Sequence, residues 1–226
     1  PHFCLQIFVG RCLGLLRGFR VCGSGGIRGK ELALRLEIED GDLGEEDGGG
    51  ACDEVQTGNG RTGALYAYMN YGFMPDIVST AKGLGGGLPI GACLMGEKCA
   101  DTLQPGTHGS TYAGHPVAVA ASLAVLRELK AGNWAQNAKE MGDYFAAELL
   151  KIPGVVAERH RGLFVGAILE DGISAVEVKR ACIRNKFLVT AIGTSIIRMV
   201  PPLVITKENV DEACVRLAKA IAEVKG

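Results

Sequence analysis

PDIVSTAKG at residues 75–83 and LPIGACLMG at residues 88–96 decide how this chain reads. Each holds a short apolar run bounded by proline and glycine, the pattern of buried strands in a layered α/β domain. Lys82 stands at the end of the first run, ahead of the glycine cluster of AKGLGGGLPIG (81–91). A lysine in that position can be held in a cleft, where loss of water lowers its pKa and makes the amine nucleophilic toward a carbonyl. A lone lysine beside glycines is more often a solvated loop residue, so its neighbours in sequence matter.

Asp53-Glu54-Val55-Gln56 precedes Lys82, and HGSTYAGHP (108–116) follows it. A carboxylate, an amine and a hydroxyl-rich turn ahead of a helix are the parts of a pyridoxal phosphate site. The carboxylate keeps the pyridine nitrogen protonated and the amine bonds to the aldehyde. Hydroxyl and backbone donors take the phosphate.

Beyond this segment, strands and helices alternate. Pro116 opens an alanine-rich helix that Gly132 closes, with proline first and glycine last. In NWAQNAKEMGDYFAAELLK, Trp134, Ala138, Met141, Phe145 and Leu149 recur at helical spacing, and Asn133 is the expected N-cap. LFVGAIL (163–169) reads as a strand. SAVEVKRACIRNK reads as a helix, with Ser174 and Glu177 in capping-box spacing. FLVT and SIIRMV read as strands around a turn at Gly193, and a last helix runs from Thr206 with Val210, Cys214, Leu217, Ile221 and Val224 on one face. The alternation predicts an α/β fold with a smaller second domain from about residue 131.

Residues 1–52 differ in texture. They hold 12 of the 33 glycines and 4 of the 8 cysteines, and eight acidic residues fall between Glu31 and Asp47. GKELALRLEIEDG suggests a short helix, but EEDGGGAC lacks the apolar residues of a central strand, so residues 40–51 are expected outside the sheet, or in a strand slot only in poorly ordered form. A chain that begins at Pro1 is expected to be a fragment of a longer one.

With 24 basic and 25 acidic residues, charge gives no argument for nucleic acid or an anionic membrane. The apolar runs fall short of the roughly 20 residues of a membrane helix. Neither the cysteines nor the histidines have metal-ligand spacing, so no metal is expected and the thiols suit a reducing cytoplasm. GNGRTG (58–63) satisfies a dinucleotide fingerprint, with Asp76 downstream for a ribose hydroxyl. That alternative, a nicotinamide-dependent oxidoreductase, needs an apolar strand feeding the glycine turn, and GGGACDEVQT offers none.

DEVQTGNGRTGALYAYMNYGFMPDIVSTAKGLGGGLPIGA, then PGTHGSTYAGHP, then IIRMVPPLVI together resemble the class III aminotransferases of fold type I, from Asp53 to the C-terminus. The resemblance implies part of the large cofactor-binding domain over 53–130 and a small C-terminal α/β domain over 131–226, after an aberrant segment over 1–52. It implies pyridoxal 5'-phosphate as cofactor and a cytoplasmic homodimer. Lys82 becomes the lysine that bonds to the cofactor and shuttles the proton, and Asp53 the partner of the pyridine nitrogen. Val55 packs on the ring, and Gln56 lies near its phenolic oxygen. Thr111 binds the phosphate of the cofactor in the other subunit, and Arg198 grips a substrate carboxylate as a bidentate fork. Alternation in SIIRMVPP puts Arg198 on the face opposite Ile197 and Met199, on the cofactor side of the small domain.

Members acting on N-acetylornithine with 2-oxoglutarate are the most similar, and those acting on ornithine or another omega-amino acid are the alternative. His115 stands where the family usually has asparagine, and helix capping is its expected use. The family's glycine-rich phosphate loop, stacking aromatic and second substrate arginine have no recognisable counterpart in residues 1–52, although GRCLGLL (10–16) and GSGGIR (23–28) echo parts of that region. A frameshifted reading frame would leave such patches, and an inactive remnant that binds no cofactor is the further alternative.

Overall fold

The computed structural model describes residues 4–6, 20–22, 50–106 and 109–225. They divide into two compact units. Residues to Asn59 with Leu65–Gly132 form the first, and Gly60–Ala64 with Asn133–Gly226 form the second. The suggested helix in GKELALRLEIEDG and the segments GRCLGLL and GSGGIR lie outside the described residues.

The first unit is built on a five-stranded sheet. Its strands are β1 (Cys4–Gln6), β2 (Arg20–Cys22), β3 (Gly50–Asp53), β4 (Ile77–Thr80) and β5 (Ala92–Met95), in the order β1-β5-β4-β3-β2. β2, β3 and β4 run parallel, and β5 is antiparallel to both β4 and β1. The apolar runs around Lys82 thus become β4 and β5, as their bounded hydrophobicity requires.

β3 corrects the expectation for residues 40–51 at Gly50 and Ala51, and residues 40–49 lie outside the described residues. Gly50 and Ala51 lie inside the sheet, as part of a strand paired on both sides. The ladder is fixed by its neighbours, and the Asp76 carboxylate accepts the Gly50 N–H at 2.9 Å. The small side chains at 51 and 52 are what the site takes. Ala51 is buried with Ile77, Cys93 and Met95, and Cys52 with Tyr66, Tyr68 and Val78. Strand preference measures fit to such neighbours more than intrinsic apolarity.

Helix α1 (Pro116–Ala131) follows β5, and the Gly132 N–H closes it on the Glu128 carbonyl at 2.8 Å. Its Ala118 packs with Leu84, Ile90 and Ala92. His115 occupies the N-cap position expected for it, although its side chain makes no capping bond. Its carbonyl accepts the Val119 N–H and thereby begins the helix through the backbone.

The second unit is a four-stranded antiparallel sheet, β6 (Val155–Arg161), β7 (Phe164–Leu169), β8 (Thr190–Ile192) and β9 (Ile196–Met199), in the order β6-β7-β9-β8. It packs with α2 (Trp134–Leu149), α3 (Ala175–Arg184) and α4 (Lys207–Lys225). Phe145, Leu149, Val165, Leu169, Ile197 and Leu217 are among its most deeply buried side chains. Asn133 caps α2 by its carbonyl, which accepts from Asn137 N–H, with no side-chain bond. Ser174 caps α3 through its hydroxyl, which accepts the Glu177 N–H at 3.4 Å. The Glu177 carboxylate turns instead to Arg180. Of FLVT only Thr190 is in a strand, since β8 starts there and reaches the left-handed turn at Gly193. Among the described residues, no helix is long and apolar enough to cross a membrane.

Candidate active site

Ligands in open α/β sheets gather beyond the carboxyl ends of parallel strands. Asp53 closes β3 and lies in register with Ser79 of β4; Lys82 follows two residues past the end of β4. The carboxylate and the amine therefore leave the same edge of two neighbouring parallel strands.

Asp53 is held from two sides. Its Oδ1 accepts the Val55 N–H at 3.0 Å and the Ser79 hydroxyl at 3.1 Å. Among the described residues both bonds fall on Oδ1, so Oδ2 remains for an external N–H donor. Ser79 was not singled out in the sequence, yet the parallel pairing of β3 with β4 would have nominated it, since residues in register share an edge. Val55 and Gln56 follow in the turn after β3, each partly buried.

Glu54 was also missed. It is 2% exposed, and it fastens the loop after β3 to the 3-10 turn Ala67–Tyr71. Its carboxylate accepts the Tyr68 N–H at 2.9 Å and the Thr57 hydroxyl at 2.5 Å. A buried carboxylate needs such donors. Nothing in DEVQ distinguishes it from Asp53 without the strand's alternation. Burial, offset in part by a hydrogen bond to Thr80, and the charge of Glu54 raise the pKa of the Tyr66 phenol.

Lys82 begins the 3-10 turn Lys82–Gly85 with a φ of 48°, a left-handed conformation uncommon outside glycine. It is exposed. The enclosing cleft invoked for a reactive lysine is therefore not formed around it by the described residues, because it lies past the end of β4 rather than within the sheet.

Thr111 is exposed in the turn that precedes α1. Arg198 lies in β9 of the second unit. Its neighbours Ile197 and Met199 are buried in the core of that unit, so the alternation read from SIIRMVPP holds. The guanidinium lies over the Phe164 ring, 5.7 Å from its centroid. Its Nε is buried without a hydrogen-bond partner. A buried donor left unmet is expensive, and here it is half of a fork suited to a carboxylate.

GNGRTG forms neither a strand end nor a helix start. Asn59, Gly60 and Gly63 all have positive φ, and Arg61 donates to the carbonyls of Leu163, at 3.3 Å, and Pro201. Asp76, the proposed ribose ligand, is used on Gly50 N–H and lies 3.8 Å from the Lys98 ammonium. The dinucleotide alternative thus lacks both its helix and its acid.

These features define a fold type I framework, with an acid and a lysine at one sheet edge. The family profile described as Aminotransferase class-III matches residues 51–221. The chain belongs to that family, whose members are pyridoxal phosphate enzymes. An acetylornithine aminotransferase of Vibrio vulnificus is 46% identical over 178 residues, covering 76% of this chain and 44% of the relative. Among solved structures, the ornithine aminotransferase of Toxoplasma gondii matches with a TM-score of 0.73 and 34% identity, covering 79% of this chain and 44% of that one. The acetylornithine aminotransferase of Elizabethkingia anophelis matches with a TM-score of 0.72 and 33% identity, covering 78% and 46%. The chain spans less than half the length of each of these relatives.

Proposed function

We propose that this chain carries the cofactor-binding and substrate-binding residues of an aminotransferase that moves the amino group of N-acetylornithine to 2-oxoglutarate. The observation that carries the reading is the pairing of Asp53 and Lys82 at the carboxyl ends of adjacent parallel strands. That donor set fits pyridoxal phosphate, which needs an anion for its ring nitrogen and an amine for its aldehyde. When bound, the cofactor supplies an electron sink that acidifies the carbon bearing the amine to be transferred.

In this reading Asp53, aimed by Val55 N–H and Ser79, accepts from the ring nitrogen through Oδ2. Val55 covers a ring face and Gln56 meets the phenolic oxygen. Lys82 Nζ would hold the cofactor through its aldehyde and, as general base and then acid, would carry the proton from the carbon bearing the transferred amine to the former aldehyde carbon. Arg198 anchors the α-carboxylate, a role supported by its unmet Nε. Thr111 serves the phosphate of the partner subunit's cofactor, which makes a homodimer the active unit. A cytoplasmic setting accords with Cys182 and Cys214 being unbridged thiols.

The acetyl-substrate reading follows the curated relatives; the ornithine structures favour ornithine as the second reading. Glutamate formed from 2-oxoglutarate, with saturating pyridoxal phosphate and either amine donor, separates them. A higher kcat/KM with N-acetylornithine is expected. Preference for ornithine would replace the substrate assignment, and no glutamate with either would make the chain an inactive remnant.

A further inference from the structure

GNGRTG is the motif that the proposed chemistry leaves unused, and its second residue reaches the main chain beside Lys82. Asn59 is 7% exposed and has a φ of 57°. Its Nδ2 donates to the Ala81 carbonyl at 3.1 Å and to the Thr80 hydroxyl at 3.4 Å. Its Cβ lies where a side chain at Gly83 would meet it, 3.5 Å from that position. Asn59 therefore bonds to the residue before Lys82 and fills the space that a side chain on the residue after it would enter.

The orientation of the amide is forced. A carbonyl only accepts, so the nitrogen must face Ala81, and Oδ1 is left buried without a partner. Buried polar atoms are otherwise almost always satisfied. An apolar side chain of similar size would avoid the orphan, unless the donated bond has a use. Lys82 itself holds a left-handed backbone with a φ of 48°, a conformation that persists only where surroundings impose it. Thr80, the other anchor, is buried and hydrogen-bonded to the Tyr66 side chain, so Asn59 grips a fixed point.

We propose that Asn59 is a positioning residue for Lys82: its amide pins the Ala81 carbonyl and the Thr80 hydroxyl, and so imposes the backbone conformation that aims the lysine amine. The proposal rests on the reading of Lys82 as the cofactor-binding amine. Removing the amide leaves the Ala81 carbonyl held only by the Leu84 N–H at 3.1 Å, so the peptide is less constrained and the amine samples directions away from the Asp53 edge.

The test compares the full chain with two variants. Asn59→Gly keeps the left-handed backbone and deletes the amide; Asn59→Asp keeps the shape and sets an oxygen against the Ala81 carbonyl. Each is incubated with pyridoxal phosphate, reduced with borohydride and digested, and the label on the AKGLGGG peptide is divided by that on surface lysines of the same molecules. Amide exchange over residues 82–86 is followed without cofactor, and melting midpoints are recorded. Both variants should lower the label ratio and speed the exchange by roughly tenfold, the worth of one neutral hydrogen bond, with midpoints close to that of the parent. Asn59→Asp should be the worse of the two. A parent that labels Lys82 alongside variants with an unchanged ratio overturns the positioning role. Unchanged exchange in Asn59→Gly overturns it as well, whatever the labelling. A parent that does not favour Lys82, with exchange accelerated in both variants, leaves the clamp supported and sinks the cofactor assignment instead.

Discussion

Arg198 and His160 show how a charged side chain in this protein reveals its use through its partners. Arg198 keeps a buried Nε with no acceptor, and its guanidinium lies over Phe164. A lysine there would keep the charge but present a point instead of a fork. Arg198→Lys is expected to lower kcat/KM for the amino donor by roughly tenfold, about 1.4 kcal/mol of transition-state binding, with cofactor labelling unaffected; unchanged kinetics would remove Arg198 from substrate binding. His160 carries a structural charge. Burial by itself lowers its pKa, but hydrogen bonds to Asp143 at 3.0 Å and Glu158 at 2.8 Å outweigh it, and the net shift is upward. A raised folded pKa gives stability that is complete below the unfolded value of about 6.5 and lost as pH rises through the folded value. The urea midpoint of His160→Gln should therefore fall below that of the parent near about pH 6, and the gap should close as pH rises through the folded value. A gap independent of pH would assign the effect to packing.

The helices and strands differ in how far their sequences announce them. α1, α2 and α4 are legible because proline, glycine and apolar spacing mark them locally, and the Ser174 cap makes α3 legible too. β6 is not, since VVAERHR is charged along much of its length; among the described residues it is an edge strand, paired only to β7, and its outer half faces water. β3 is hidden for the opposite reason, as GACD owes its place to flanking strands and to Asp76. Close packing is equally invisible in sequence. A Cβ at Gly142 of α2 would come within 2.1 Å of the Gly162 carbonyl oxygen, a backbone atom that cannot turn aside. Alanine gains about 1 kcal/mol over glycine in a helix, while overpacking of this severity costs about 3 kcal/mol. Gly142→Ala should thus lower the melting temperature measured by calorimetry, and an unchanged or raised one would contradict the contact.

The chain as a whole joins two units of unlike construction. Among the described residues, the second has one large apolar cluster and a small one of Ala138, Met141 and Leu163, whereas the first has several small ones beside its sheet. GNGRTG is shared between them, because Asn59 belongs to the first and Gly60–Ala64 to the second. Its glycines suggested a phosphate cradle, and they serve instead a strap that Arg61 fastens to Leu163 and Pro201. The candidate site can be proposed from sequence where chemistry demands a residue type, as at Asp53 and Lys82, which β3 and β4 bring to one sheet edge. It was not legible where a neighbour only orients, as at Ser79 and Glu54, since such roles depend on which strands become adjacent. The central claim is that Lys82, beside Asp53, is the amine that holds the cofactor, and peptide mapping after borohydride reduction with pyridoxal phosphate tests it most directly. The reduced label should concentrate on the peptide containing AKGLGGG and disappear from it in Lys82→Ala, and label spread evenly over surface lysines in the parent chain would contradict the assignment.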